Sequence, residues 1–299
     1  MESPLNILSL NVGMSSTLAG LNSLILSNNL DLVLLQEVKV SKEQLNAMLS
    51  NLDFQGDVNL DTESPTLPGT AIAWRNSLPV EDVFILVKCR AQIAVLGQYV
   101  VVNLYAPRNN FYRQDVFKVF SLFPRSYYIL AGDHNCLISP MDVENGTGYQ
   151  QKSCAPLKDL VNGHNLLDVF RAKFPQKREY TFFRAGKASS RLDRFYVTAA
   201  LLDSVRSVCH LASLSDHCAV YLKIMVKINY LSSPKLGRST YWKLNTSILH
   251  DDDFLPSFKL FWKNILNRSL HIRMQLIGGT MLLSHQSKTF ALDTLKIED

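Results

Sequence analysis

A chain of 299 residues, 47 % hydrophobic and 19 % charged, has the balance of a globular protein and length for one large domain or two of ordinary size. It has no run of about 18 uncharged apolar residues, which sets aside a membrane span. Its five cysteines (89, 136, 154, 209 and 218) form no CxxC pair, and no basic segment leads into an apolar, cleavable core, so a reduced, intracellular protein is expected. The net charge of +5 is uneven, with 21 Lys/Arg against 20 Asp/Glu over 1–226 and 10 against 6 over 227–299. An excess this small fits weak attraction to nucleic acid without requiring it.

In chain order, apolar runs with β-branched or aromatic content predict strands at 5–10, 31–36, 70–74, 83–87, 98–104, 127–131, 192–197 and 218–224. Helical patterns fall at 18–26, at 41–49 with Ser41 and Gln44 in capping-box positions, at 110–120 and at 155–162. The mixture lacks a steady strand-helix-strand alternation, so it predicts an α/β sandwich of mixed or antiparallel sheets flanked by helices. Near 228 the strand pattern stops, and Ser232-Ser233-Pro234-Lys235-Leu236-Gly237-Arg238 reads as a polar linker. The expected organisation is a domain over 1–226 and a tail over 227–299, partly helical or disordered, with a helix start at 251–261 and no period in the last thirty or so residues. No internal repeat is visible.

Eight polar residues end or follow the apolar runs: Asn11, Glu37, Tyr105, Asp133, Asn135, Asp193, Asp216 and His217. Strand ends gather residues distant in sequence at one sheet rim. Hydrolysis of a phosphodiester needs a cation, a group to hold water, and donors for the phosphate oxygens. Glu37 and Asp216 are hard oxygen ligands of the kind Mg2+ takes. Asp133 suits the attacking water, and Asn135, Tyr105 and His217 are donors to phosphate. Asp193 suits an acceptor for the other ring nitrogen of His217. Each also has a plainer reading: an Asx turn at Asn11, a strand end at Glu37, a half-buried aromatic at Tyr105, a turn at Gly132-Asp133-His134-Asn135, a surface ion pair at Asp193 between Arg191 and Arg194, and a cap at Ser215-Asp216-His217. The coincidence of eight such residues favours a site.

Leu8-Ser9-Leu10-Asn11-Val12, Leu35-Gln36-Glu37, Asn103-Leu104-Tyr105-Ala106-Pro107, Leu130-Ala131-Gly132-Asp133-His134-Asn135, Ser190-Arg191-Leu192-Asp193-Arg194 and Leu214-Ser215-Asp216-His217 stand in the order and spacing of the endonuclease/exonuclease/phosphatase superfamily. Within it the chain resembles the apurinic-endonuclease-like N-terminal domain of LINE-type retrotransposon polyproteins. Lys177-Arg178-Glu179-Tyr180-Thr181-Phe182-Phe183 and Tyr241-Trp242-Lys243-Leu244-Asn245 suggest that branch, and the want of a following reverse transcriptase suggests a truncated or domesticated element, or a partial gene model. The resemblance implies a DNase I-like four-layer sandwich of two mixed β-sheets flanked by helices. It implies a metal site at Asn11, Glu37 and Asp216 using Mg2+, with Mn2+ as the alternative, and a catalytic set of Tyr105, Asp133, Asn135, Asp193 and His217. It further implies a DNA endonuclease leaving 3'-hydroxyl and 5'-phosphate ends, a monomer acting on DNA in the nucleus or the cytoplasm.

Two departures stand out. Gly13 replaces the usual Asn or Asp, so that a metal contact is missing or the loop is shorter. His134 replaces an apolar residue and is expected to be a harmless exposed side chain, the alternative being that it perturbs the water-holding carboxylate of Asp133. The alternative functions are an abasic-site endonuclease or exonuclease of DNA repair, and a decayed DNA-binding remnant using Arg108, Arg113, Lys177, Arg178, Arg184 and Lys187 on phosphates.

Overall fold

The computed structural model describes residues 2–13, 20–51, 54–121, 127–146, 151–186, 188–228, 275–277 and 280–282. The expected linker at 232–238 and helix start at 251–261 lie outside the described residues, as does the start of the helix expected at 18–26. Strands and helices alternate irregularly: β1 (Ser3–Asn11), α1 (Leu21–Asn28), β2 (Leu32–Val38), α2 (Lys42–Asn51), β3 (Gly56–Asp61), β4 (Gly69–Arg75), β5 (Asp82–Val87), β6 (Ala91–Leu96) and β7 (Tyr99–Tyr105). Then come α3 (Asn110–Ser121), β8 (Tyr127–Asp133), α4 (Gln151–Gly163), β9 (Leu166–Asp168), α5 (Val169–Lys173), β10 (Asp193–Thr198), β11 (Val205–Leu211) and β12 (Ala219–Val226). A separate small hairpin joins β13 (Gln275–Ile277) to β14 (Thr280–Leu282).

Two six-stranded sheets form, in the orders β11-β12-β1-β2-β4-β3 and β5-β6-β7-β8-β10-β9. Only β1 with β2 and β7 with β8 run parallel. Across each sheet the pairings run in the same order, two antiparallel, one parallel, then two antiparallel. The repeat lies in the pairing and not in the connections, since β6 leads directly into β7 whereas their counterparts β12 and β1 are the last and first strands of the two sheets.

Alternate side chains on each strand sort into three cores, as a period of two requires. Leu5, Ile7, Leu32, Leu34 and Ile72 meet Ala94, Val101, Ile129, Ala131, Phe195 and Val197 between the sheets. On the outer face of the first sheet, Leu8, Leu10, Val33 and Leu35 pack with Leu21 and Ile25 of α1 and Leu45 and Leu49 of α2. On the outer face of the second, Ile93, Val102, Leu104 and Leu130 pack with Val116 and Phe117 of α3 and Leu157 and Leu160 of α4. The result is four layers, and β2, covered on both faces, is buried throughout. The capping box of α2 is formed, with Ser41 N donating to Gln44 Oε1 at 2.9 Å and Gln44 N to Ser41 Oγ at 3.2 Å.

A short polar layer joins the sheets toward one rim. Gln36 Nε2 on β2 donates to Asn103 Oδ1 on β7 at 2.7 Å, and Asn103 Nδ2 donates to the carbonyls of Leu35 and Ala71 at 3.0 and 2.9 Å. Buried amides of this kind are stable only when satisfied in one arrangement, so they fix where β2 and β7 end relative to each other.

Candidate active site

The carboxyl ends of the two parallel pairs open on the same rim, and they deliver Asn11 (β1), Glu37 (β2), Tyr105 (β7) and Asp133 (β8) to it. Glu37 is aimed there by a bulge: the pairing of β2 with β4 shifts between Gln36 and Val38, and Glu37 takes a φ of 55°, a left-handed conformation a glutamate adopts only when its surroundings impose it. Asp133 depends on Gly132, whose φ is 136° and whose missing Cβ would stand 1.8 Å from the Leu104 carbonyl oxygen.

These side chains are wired together. Asn11 Nδ2 donates to Asp133 Oδ2 at 2.9 Å and to Glu37 Oε1 at 3.3 Å, while its oxygen accepts from Gly13 N at 3.0 Å. Tyr105 Oη donates to Glu37 Oε1 at 2.9 Å. Asn135, itself at a φ of 45°, donates from its backbone to Asp133 Oδ1 at 2.8 Å. Its amide donates to Asp133 Oδ2 at 3.0 Å and to Ala106 O at 2.8 Å, so both amide hydrogens are committed and Asn135 holds Asp133 in place.

Opposite them, His217 Nδ1 meets Asp193 Oδ2 at 2.8 Å, and its Nε2 lies 4.0 Å from Asp133 Oδ2. Asp193 is 1 % exposed, which overturns the surface ion pair read from its arginine neighbours. Its other partner is Thr181, whose hydroxyl donates to Asp193 Oδ2 at 2.7 Å and accepts from Leu192 N and Asp193 N at 3.0 Å each. Arg191 and Arg194 turn away into a buried cluster. Arg191 reaches Asp142 at 2.9 Å and Asp168 at 2.6 Å, and Arg194 reaches Asp142 at 3.1 Å. Sequence reading missed Thr181, Asp142 and Asp168. The need for further carboxylates follows only once Arg191 and Arg194 are seen to be buried, each 1 % exposed.

The environment drives the titrating groups apart. Burial and the nearby Asp193 charge push Asp133 up, against the opposing pull of His217. Burial alone would lower His217, but the charge and hydrogen bond of Asp193, with Asp133 beyond, outweigh it and hold the imidazole at about 9. Burial likewise opposes the charge on Glu37, yet the bonds from Tyr105 and Asn11 and the charges of Arg108 and Lys39 leave its pKa lowered. His134 is not the exposed side chain expected from its place between Asp133 and Asn135. It is 0 % exposed, bonded through Nδ1 to Gly132 O at 2.9 Å and packed edge-on against Tyr196. Burial and the Arg194 charge hold it down at about 3, so it stays neutral.

Asp133, Asp193 and His217 offer ligand atoms within 4.8 Å of one another, a buried group able to hold a metal. In that group, however, His217 Nδ1 is bonded to Asp193 and Asp133 is bonded by Asn11 and Asn135. The neighbouring rim fits a hard cation with less rearrangement. Glu37 Oε2 faces only Lys39 Nζ, at 3.6 Å, among the described residues, and Asp216 is exposed, its Oδ1 accepting from Ser215 Oγ at 3.4 Å. Gly13 lies between them, its carbonyl accepting from Lys39 Nζ at 2.8 Å and the space for its absent Cβ facing Asp216 Oδ1 at 3.5 Å. An all-oxygen set with room for water is the kind Mg2+ takes.

Beside His217 and Asn135 opens a cavity of about 370 Å³, walled by Leu137, Val143, Phe182 and Leu192, with Arg108 and Arg184 at it. The other basic residues divide. Arg113 is 5 % exposed and donates to the carbonyls of Pro107 and Arg108 and to Asn110 Oδ1, so it braces the loop after β7 instead of facing a ligand. Lys177 pairs with Glu179 and lies over Phe170 and Phe174. Arg178 is exposed, and Lys187 lies outside the described residues.

Two six-stranded mixed sheets between helices match the fold of solved AP endonucleases. The structure of the enzyme from Archaeoglobus fulgidus covers 73 % of this chain and 98 % of its own at a TM-score of 0.64 and 20 % identity. The enzyme from Leishmania major covers 75 % and 88 % at 0.64 and 17 %, and a 3'-5' exonuclease from Neisseria meningitidis covers 74 % and 99 % at 0.64 and 20 %. The chain belongs to the Endonuclease/Exonuclease/phosphatase family, whose model matches residues 8–217. It is also 29 % identical over 174 residues to the Xenopus laevis transposon TX1 uncharacterized 149 kDa protein, a match over 55 % of this chain that spans 13 % of that protein's length.

Proposed function

We propose that this chain is a divalent-metal-dependent DNA endonuclease of retrotransposon type, cutting phosphodiester bonds to leave 3'-hydroxyl and 5'-phosphate ends. The observation that carries the reading is the buried alignment of Asp133, His217 and Asp193, with 4.0 Å between His217 Nε2 and Asp133 Oδ2. That spacing brings a base and a charged donor to bear on the same point of the rim. Asp133, with its pKa raised and its carboxylate fixed by Asn11 and Asn135, accepts the proton of the attacking water. His217, kept charged by Asp193, donates to the non-bridging oxygens as their charge grows. The water oxygen bonds to phosphorus, the bond to the 3'-oxygen breaks, and that oxygen leaves as the hydroxyl with a proton from solvent.

Glu37 and Asp216 would hold a divalent ion, Mg2+ or Mn2+, which would supply positive charge to the phosphate. Asn11 and Tyr105 keep Glu37 oriented for it. The likeness to the transposon protein supports the retrotransposon type, and the family supports a nuclease or phosphatase chemistry. A monomer working on chromosomal DNA in the nucleus fits this reading.

Supercoiled plasmid incubated with Mg2+, with EDTA, and with Asp133→Ala protein tests it. Metal-dependent nicking that disappears in the variant is expected, and a folded protein that leaves the plasmid intact would refute it. The cavity beside His217, apolar on one wall and roomy enough for an extruded sugar, favours abasic-site cleavage as a second reading. A duplex carrying one abasic site, cut much faster than its intact counterpart, would favour that reading.

A further inference from the structure

The carboxylate of Glu37 is shared by two cations of unequal freedom. Lys39 is anchored, its Nζ donating to the Gly13 carbonyl at 2.8 Å while standing 3.6 Å from Glu37 Oε2. Arg108 is not. Its Nη2 lies 3.4 Å from Glu37 Oε1, an oxygen that already accepts from Tyr105 and Asn11, and its side chain is 58 % exposed. Among the described residues, no other acceptor meets its guanidinium. The backbone beneath is held by Arg113, which donates to the carbonyls of Pro107 and Arg108 at 3.4 and 3.0 Å. Only the side chain is therefore free to move, and it borders the cavity that Asn135, Arg184 and His217 also line.

We propose that Arg108 is an exchangeable counter-cation, resting on Glu37 in the metal-free protein and moving to a DNA phosphate when a divalent ion takes its place. This rests on the reading of Glu37 as a metal-site carboxylate. A guanidinium and a divalent ion repel each other across one carboxylate, so the ion binds only by displacing Arg108 or by bearing that repulsion. The freed guanidinium has the planar fork that matches two phosphate oxygens, and the cavity edge is within its reach. Metal and DNA then strengthen each other's binding through this one side chain, and the coupling is reciprocal.

Binding separates the possibilities without relying on turnover. The full chain, Arg108→Gln and Glu37→Gln are titrated with Mn2+ by calorimetry. Each protein is then titrated with a hydrolysis-resistant phosphorothioate duplex, in EDTA and in Mn2+, by fluorescence anisotropy. Because Arg108 makes one exposed contact, the Arg108→Gln protein is expected to fold and to bind Mn2+ about three- to fivefold more tightly, the range of an exposed ion pair. It is expected to bind duplex more weakly, and the gain in duplex affinity on adding Mn2+ shrinks toward none. An Mn2+ affinity in Arg108→Gln equal to or below that of the parent, with Glu37→Gln weakened, overturns the exchange while leaving Glu37 a metal ligand. Mn2+ binding unaffected by Glu37→Gln overturns both. Tighter Mn2+ binding with unchanged duplex binding refutes the move to phosphate.

Discussion

Replacing Asp193 with Asn removes the charge that keeps His217 protonated while preserving its shape. The imidazole sits at about 9 in the folded protein, against about 6.5 in the unfolded chain, a difference of about 2.5 pH units or roughly 3 kcal/mol. A group whose folded pKa is raised stabilises fully below its unfolded pKa, and the gain is lost as the pH rises through its folded pKa. About 2 kcal/mol of the His217 contribution should therefore vanish between pH 6.5 and 8.5, while the burial-raised thiols of Cys89, Cys136, Cys209 and Cys218, which begin to add slope toward the top of that window, cancel between parent and variant. The substituted carboxamide still accepts from Thr181 but leaves His217 neutral. Urea unfolding in EDTA, followed at half-unit pH steps, should show the variant less stable by about 2–3 kcal/mol at pH 6.5 and the two curves drawing together by pH 9. A gap constant to within about 0.5 kcal/mol across that range would refute the assignment of His217 as a charged donor.

The buried arginine cluster makes a prediction of opposite sign. Asp142→Asn leaves Arg191 and Arg194 without one of their two carboxylates and should cost about 3–5 kcal/mol in urea unfolding. Its carboxyl is held well below the usual range because the charges of Arg194 and Arg191 outweigh its burial. This contribution is thus full above about pH 4 and lost as the pH falls further, so the penalty should fade in acid. Gly132→Ala places a Cβ 1.8 Å from the Leu104 oxygen and should lose about 3 kcal/mol or more, read as a collapse of soluble yield or melting temperature.

How far the sequence was legible follows from which property each residue carries on its own. Asn11, Glu37, Tyr105, Asp133, Asn135, Asp193, Asp216 and His217 stand out because polar side chains at the ends of apolar strands are conspicuous, and the structure brings them to one rim. The strands β3, β6, β9 and β11 went unread, two of them for local reasons. β3 (Gly56-Asp57-Val58-Asn59-Leu60-Asp61) carries residues that are poor in strands, and β9 is three residues long and runs straight into α5. Burial of His134 and Asp193 was unreadable because it depends on what packs above them, the Tyr196 ring in one case and the Thr181 segment in the other. Thr181 looks like any strand-edge threonine until the backbone of Leu192 and Asp193 is seen to donate to it. The bulge at Glu37 has no mark in Leu35-Gln36-Glu37-Val38 at all, since a left-handed glutamate is imposed by its surroundings and not by its neighbours in the chain.

The doubled topology gives the site its chemical asymmetry. Glu37 and Asp133 each stand at the carboxyl end of the second strand of a parallel pair, one in each sheet, so the scaffold offers two nearly equivalent carboxylates. What distinguishes them is what the rest of the chain places opposite. Tyr105, Asn11, Arg108 and Lys39 surround Glu37 and keep it ionised, which suits a carboxylate that must hold a cation. Asp133 is wholly buried and faces Asp193, which raises its proton affinity and suits a carboxylate that must accept one. Environments that push two like groups apart divide their labour, and here the division arises because the β10 and β12 ends bring Asp193 and His217 to one copy of the motif only. At the corresponding place in the other sheet, β4 begins with Gly69 and Thr70, and Thr70 Oγ1 accepts from Gln92 Nε2 at 2.9 Å. There the repeat keeps a structural hydrogen bond where its twin carries the partner of a titrating histidine.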